Sequence, residues 1–419
     1  MGQFDTLIKI APPPYMPNGH HAEQIMKIEA DIVVAGTGPV GLMAALSLGR
    51  AGFRVVLAGP PANLADRRTT ALMKPSLDFL DELGLLDALR GDAAPLKVMR
   101  IADATQRLLR SPVVTFRASE IGEDYFGLNI PNRRLLAALD EAVSASKSVE
   151  RAETTVSRWN IDADTIEAEL ADGRTVSARL AVAADGRMSP AREAAGIAVS
   201  AGSTGQSALV LDFSHARPHN DTSTEFHTED GPFTLVPLSG QRSSLVWVTR
   251  PHRAEELVRL SDDELSLIVE ERMQSMLGRV TVEPGRQVFP LSSALPRRFA
   301  ANRVALVGEA AHIFPPIGAQ GLNLGIRDVE SLLETVMRHS GDPGSSAALS
   351  AYDRSRRPDI LARSSAVNML NRSLLSDMLP VQLMRTAGLS LLGAAPPLRA
   401  LFMREGLRTG SGFGSVFRV

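Results

Sequence analysis

The amino-acid sequence predicts an α/β fold. A parallel-stranded domain is drawn from distant parts of the chain, an antiparallel β domain is inserted into it, and helices close the C-terminal end. Three observations predict this. Short, almost wholly apolar runs stand at Asp31–Ala35, Leu180–Ala184 and Arg303–Val307, as strands buried on both faces do. Each leads into a turn and a helical segment. Between the second and third, residues 205–250 read as several antiparallel strands, FTLVP and SSLVWVT among them.

Taken in order, residues 1–28 read as a flexible extension with three consecutive prolines and the pair His20-His21, and Met26 is an alternative start. Asp31–Ala35 is the first strand. Pro39–Ala51 has no polar break and reads as a buried helix, ended by Gly52 where a left-handed residue suits the C-terminus. Arg54–Ala58 completes a βαβ unit. Residues 76–90 are helical with a break at Gly84, and 131–147 are helical. Thr165–Leu170 and Thr175–Leu180 flank Asp172-Gly173, a strong hairpin signal. Gly321–His339 puts Leu322, Ile326, Val329, Leu333 and Val336 on one helical face. Residues 350–408 are mostly helical, broken at Pro380 and Pro396-Pro397.

The expected boundaries are 29–75, 97–200 and 285–345 for the parallel domain and 76–96 with 201–284 for the inserted one. Residues 346–419 form the helical region. The 419 residues exceed one simple core. A net charge of −2 gives no reason to expect nucleic acid. With no cysteine, disulfides, thiolate nucleophiles and Cys-based metal sites are excluded; no metal is expected, and a reducing, cytoplasmic setting fits. No apolar run of about 18 residues occurs, so no transmembrane helix is expected.

Gly36-Thr37-Gly38-Pro39-Val40-Gly41 is G-x-G-x-x-G between a predicted strand and a predicted helix, the context that a dinucleotide-binding turn requires. Gly36 permits the tight turn, Gly38 lets the backbone approach a pyrophosphate, and Gly41 lets helix and strand pack closely. The helix start supplies free N–H groups to an anion. The acidic residue expected about 20 residues on, which would grip a ribose, is replaced by Gly59 before Pro60-Pro61. The plain alternative is a tight turn with no ligand.

Two more segments carry chemistry. Asp185-Gly186 follows a strand and precedes a helix with Ser189 at its N-cap and Pro190 at its first position. Gly308-Glu309-Ala310-Ala311-His312 ends a strand, and Pro315 through Gly318, Gln320, Gly321, Leu322 and Asn323 opens the long helix. That glycine-rich entry aims backbone N–H groups at a site favouring negative charge.

The three segments together resemble those of the group A flavoprotein monooxygenases, the fold of 4-hydroxybenzoate hydroxylase. Within that family, Arg68-Thr69-Thr70-Ala71-Leu72, Asn132-Arg133-Arg134-Leu135 and the run from Gln320 to Asp328 are similar to the ubiquinone-biosynthesis hydroxylases. The resemblance implies a Rossmann-type FAD-binding domain with an inserted substrate domain. FAD would be held by Gly36, Gly38, Pro39, Val40, Gly41, Arg68, Arg133, Asp185, Gly186, Gly308, Glu309, Pro315, Gly318, Gln320, Gly321, Leu322 and Asn323. NAD(P)H would bind transiently as reductant, dioxygen would be co-substrate, and a flavin C4a-hydroperoxide would hydroxylate a phenol-like, prenylated ring. Catalysis then rests on the cofactor, and no catalytic side chain is named; His312 reads as structural.

The order Gly318-Ala319-Gln320-Gly321 departs from the family's A-G-Q-G, and three positions depart in ways that alter FAD contacts: Gly59, Pro131 in place of Glu, and Glu309 in place of Asp. They motivate alternatives: an FAD-weak or non-catalytic member of a quinone-biosynthesis assembly, or an isoprenoid-reducing flavoenzyme. Met73, Phe213, Phe233, Leu235 and Trp247 fit either a substrate pocket or plain core packing. Leu370, Leu374, Leu375, Met378, Leu379, Leu383 and Met384 fit either packing on the FAD domain or a peripheral face. That face would meet the inner side of a membrane or partner enzymes of quinone biosynthesis.

Overall fold

A computed structural model describes residues 26–105, 110–315, 320–375, 387–388 and 390–407; of Gln320 and residues 366–375 only the backbone is described. The expected extension (residues 1–25 of it), Gly318, Met378, Leu379, Leu383 and Met384 therefore lie outside the described residues.

A six-stranded sheet organises the nucleotide domain. Its order runs Ala300–Ala301, Val304–Leu306, Leu180–Ala183, Ile32–Ala35, Val55–Ala58, Val149–Ala152. All pairs are parallel except the first. The three apolar runs thus become the central strands, with Ile32 to Val34 and Leu180 to Ala183 wholly buried. Pro39–Arg50 packs on this sheet with Gly41 through Gly49 all buried, which explains its unbroken apolar sequence. The expected hairpin is present: Ile166–Leu170 pairs antiparallel with Thr175–Ala178, and Gly173 takes φ 89° between them.

The second sheet has eight strands. Along its main path lie Val280–Val282, Val199–His215, Arg242–Thr249, Gly231–Leu238, Thr222–Thr228, Val98–Asp103 and Val114–Arg117, while Gln287–Pro296 pairs with the long Val199–His215 strand. Helices Pro251–Arg259 and Asp262–Arg272 cover one face of this sheet. The latter starts with a full capping box between Ser261 and Glu264.

The expected domain boundaries shift in two places. Val98–Asp103 and Val114–Arg117 belong to the inserted sheet, because Val98–Asp103 pairs in parallel with Thr222–Thr228. Helices Lys74–Glu82 and Leu86–Arg90 instead bury Leu77, Phe79, Leu80, Leu86 and Leu89 in the nucleotide-domain core. Their break is at Gly84, φ 58°. At the C-terminal end Ser346–Leu375 is one helix with Pro358 inside it; helical residues 390–394 end at Ala395 and Pro396-Pro397 opens the next helix, Pro396–Leu407, so the expected break is present there, while Pro380 lies outside the described residues.

Candidate FAD site

Close backbone approach fixes the glycines. A Cβ on Gly36 would lie 2.2 Å from the Ala184 carbonyl oxygen, and one on Gly41 would lie 2.0 Å from the Gly36 oxygen. Neither position tolerates a side chain. Gly38 differs: it is exposed, and a Cβ there would meet nothing within 4 Å. The turn is therefore tight inside and open outside, over the free N–H groups of a helix with Pro39 at its first position.

The same carbonyl that constrains Gly36 leads into Asp185-Gly186. Asp185 Oδ2 accepts the Ala191 N–H at 3.1 Å, and Ser189 caps the short helix by accepting the Arg192 N–H at 3.0 Å. Asp185 Oδ1 is buried with no hydrogen-bond partner. Burial holds this carboxyl above its ordinary range against the Ser189 and backbone hydrogen bonds that favour the anion. An orphaned acceptor beside an open glycine turn fits a ligand that brings hydroxyl donors, as FAD does.

The third segment is tied to both. Arg192 Nη1 donates to Ala310 O at 2.9 Å, and Arg187 pairs with Glu309 at 3.0 Å. Val40 sits between Gly308 and Gly325: Cβ atoms on these would lie 3.1 and 2.6 Å from Val40 Cγ2. Gly308 takes φ 61°, and its N–H donates to Asp328 Oδ2 at 3.0 Å. Pro315 is buried, Leu322 half-buried and Gly321 exposed.

Asn323, expected to bind the cofactor, is a clasp between segments. Its Oδ1 accepts Met73 N–H and Ser76 O–H, each at 2.8 Å, and its Nδ2 donates to Ala71 O at 2.8 Å. His312 is structural, as its sequence context suggested. It is buried, 2.7 Å from Asp328 Oδ2, while Arg356 Nε reaches Asp328 Oδ1 at 2.8 Å. Full burial alone would raise the Asp328 pKa; the facing His312 and Arg356 bring it below the ordinary carboxylate value.

The departures at Gly59 and Glu309 have local causes. A Cβ on Gly59 would lie 2.8 Å from Thr37 Cγ2, and Thr37 Oγ1 donates to Pro60 O at 2.5 Å. Thr37 occupies the space into which an acidic residue would reach. Glu309 is half-exposed and engaged by Arg187.

Sequence reasoning missed a polar cluster around Arg68. Its guanidinium holds Asp66 at 2.7 Å and lies 5.4 Å from the centroid of the Phe289 ring. Asn132 Nδ2 donates to Asp66 at 3.0 Å and Thr70 Oγ1 to Asn132 Oδ1 at 2.6 Å. Burial raises the Asp66 pKa, but Arg68 and Asn132 bring it below normal. No spacing in the sequence links Thr70 to Asn132. Arg133 is exposed on the first turn of the next helix; burial raises the Asp212 pKa, and Arg133 is among the groups that oppose that shift.

The expected substrate-pocket residues need correction. Phe213, Phe233, Leu235 and Trp247 form the core under the two helices, with Phe233 and Trp247 edge to face at 5.2 Å. Strand alternation puts Val210, Asp212, Thr234, Val236 and Val246 on the other face, and these are half-buried. That face meets the nucleotide domain: Asn129 Nδ2 donates to Pro237 O at 2.9 Å, and Met73 packs with Met99 and Ile101. Met73 alone of the five stands on the open side. Bulk favoured the aromatics in the sequence, whereas the face toward the nucleotide domain is the one that the helices leave free.

Residues 29–363 match the FAD-binding-domain family. The chain belongs to this family of FAD-dependent hydroxylases. Its relatives include a ubiquinone hydroxylase, UbiL, of Rhodospirillum rubrum. The two are 35% identical over 392 residues, 91% of this chain and 90% of the relative. The 3-demethoxyubiquinol 3-hydroxylase of Escherichia coli is 30% identical over 86% of this chain and 93% of its own length. Among solved structures, p-nitrophenol 4-monooxygenase PnpA from Pseudomonas putida shares the fold. Its TM-score is 0.73 at 22% identity, covering 91% of this chain and 97% of that one.

Proposed function

We propose that this hydroxylase acts on a phenol-like, polyprenylated ubiquinone precursor, using FAD, NAD(P)H as reductant and dioxygen. The observation that carries the reading is the junction of the three FAD segments around Val40, Asp185 and Gly308, in a chain whose relatives at 30% identity and above include ubiquinone hydroxylases. FAD, when bound and reduced, supplies the oxygen-activating chemistry. The chain's own residues bind, orient and exclude water. The amides after Gly38 take the pyrophosphate, Asp185 Oδ1 accepts a hydroxyl, and Arg68 and Arg133 supply positive charge nearby.

The ring lies against the half-buried sheet face of Val210, Thr234, Val236 and Val246. Met403 on the last described helix closes this side, in one apolar cluster with Phe116, Met73, Met99 and Ile101. Exclusion of water there protects the activated oxygen species. The polyprenyl tail leaves at this end, where Leu391 and Phe402 are exposed and offer a peripheral contact to a membrane. No described helix is long and apolar enough to cross one.

Deleting the gene in its host tests the proposal. A ubiquinone precursor that lacks one ring hydroxyl should accumulate and disappear on complementation. An unchanged quinone profile would overturn the substrate assignment.

A further inference from the structure

The helix-covered face of the inserted sheet is not covered completely. Helices Pro251–Arg259 and Asp262–Arg272 bury Leu209, Leu211, Phe213 and Trp247, and the cover ends at Met276 and Leu277. Beyond that lies a cavity of about 240 Å³ over the strands Val98–Asp103 and Thr222–Thr228. It is on the side of the sheet opposite the half-buried face assigned to the ring, so it is not part of the FAD site.

Its floor is polar in a specific way. Arg100 and Thr224 are directly opposed in the parallel pair of strands, so their side chains leave the sheet side by side. Arg100 is half-buried and has no hydrogen-bond or ion-pair partner among the described residues. The Thr224 residue is 2% exposed, and its hydroxyl likewise has no partner. Of the other polar groups, Asn220 is exposed at the rim, Thr222 Oγ1 donates to Asn220 O at 3.1 Å, and the rest are engaged. His219 Nε2 lies 2.9 Å from Leu238 O and its Nδ1 accepts the Asp221 N–H at 3.0 Å. Ser243 is bound to His215 at 3.1 Å, and Asp221 is paired with Lys97 at 2.9 Å. Leu235, the cross-strand neighbour of Thr224, makes the floor apolar beside it, and Met276, Leu277 and Pro218 add apolar lining.

We infer that this cavity binds a small monocarboxylate carried on an apolar body. One guanidinium fork matches one carboxylate with two parallel hydrogen bonds, and Thr224 adds a third donor. The apolar lining takes the remainder of the ligand. A phosphate dianion fits less well: the site offers one unpaired cation, with the Asp221 carboxylate nearby. A half-buried unpaired guanidinium is also costly to desolvate, and a bound anion offsets that cost.

Titration calorimetry on the full, FAD-loaded chain tests this with four probes: hexanoate, benzoate, inorganic phosphate and hexanol. The carboxylates should bind. Hexanoate should leave the flavin absorbance unchanged, which separates this cavity from the FAD site. Arg100→Gln should weaken hexanoate by about tenfold or more, and Thr224→Val by a few fold. Arg100→Lys should retain part of the affinity, and equal melting temperatures would show that the variants fold. The inference is overturned if neither carboxylate binds at ~10 mM, a ceiling that corresponds to only about 3 kcal/mol. It is equally overturned if Arg100→Gln binds hexanoate like the parent, or if phosphate or hexanol binds as well as hexanoate.

Discussion

The two sheets place function by different rules. In the parallel sheet, site residues are forced by backbone contact: Gly36 and Gly41 stand where a Cβ would lie about 2 Å from a carbonyl oxygen. In the antiparallel sheet the tight glycine Gly231 meets a side chain, Val248 Cγ1 at 2.7 Å, rather than a carbonyl oxygen, and what most residues do depends on which face they take. Phe233 and Thr234 are neighbours in sequence, yet one is in the core and the other on the face toward the nucleotide domain. Constraint by contact leaves a motif; constraint by face leaves only a period of two.

The glycine turn puts the first rule under the greatest strain. Gly41→Ala should cost about 3 kcal/mol or more and lose flavin absorbance together with the cooperative melt, because helix and turn must separate. Gly38→Ala should melt like the parent, since its Cβ meets nothing, yet hold FAD less tightly. Equal behaviour of the two variants would contradict the division into a tight inside and an open outside.

The two faces of the inserted sheet give the next test. Trp247→Ala should destabilise by about 3–5 kcal/mol while leaving the KM of the folded enzyme for its aromatic substrate unchanged. Val246→Ala and Val236→Ala should do the reverse: small shifts in Tm and a raised KM. If Trp247→Ala moves KM and the valines do not, the faces have been assigned backwards.

The buried ion cluster sits between these cases. Arg356→Ala leaves the buried Asp328 facing His312 alone and should cost about 3–5 kcal/mol. The sign of the pH effect follows from the lowered folded pKa of Asp328. Its stabilisation is complete above the ordinary carboxylate range and is lost as pH falls through that range towards the lower folded value. Thermal melts from pH 7 to 3 should therefore slope more steeply for the parent than for Asp328→Asn.

The smallest effect concerns the missing acid. Gly59→Asp should weaken FAD binding by about 1 kcal/mol through the Thr37 contact rather than strengthen it. Adding Thr37→Ala should recover the loss, which fluorescence titration of FAD would show. Tighter binding by Gly59→Asp alone would mean that Thr37 does not block the acid.

Much of the nucleotide domain was legible in the sequence, because apolar runs without alternation and glycines at fixed spacing are compatible with few folds. The hairpin at Asp172-Gly173 and the cap at Ser189 were legible for the same local reason. Asp66 and Arg356 were not, and Asn132 was legible only as part of its segment, since each acts on a partner that only the fold brings near. Asn323 was read as a ligand residue because it lies in the motif; that its side chain also ties Ala71, Met73 and Ser76 to the long helix with three short hydrogen bonds was not legible. The strands Val98–Asp103 and Val114–Arg117 were assigned to the wrong domain because their partner, Thr222–Thr228, lies more than 100 residues away.

Isotope labelling asks whether this FAD-dependent chain hydroxylates a prenylated phenol. The purified chain is loaded with FAD and given NAD(P)H and a short-chain prenylphenol under ¹⁸O₂, and the product is weighed by mass spectrometry. The expected product carries one added oxygen, and that atom is drawn from dioxygen. NAD(P)H oxidation that yields only hydrogen peroxide, or a product whose new oxygen comes from water, would contradict hydroxylation by this chain.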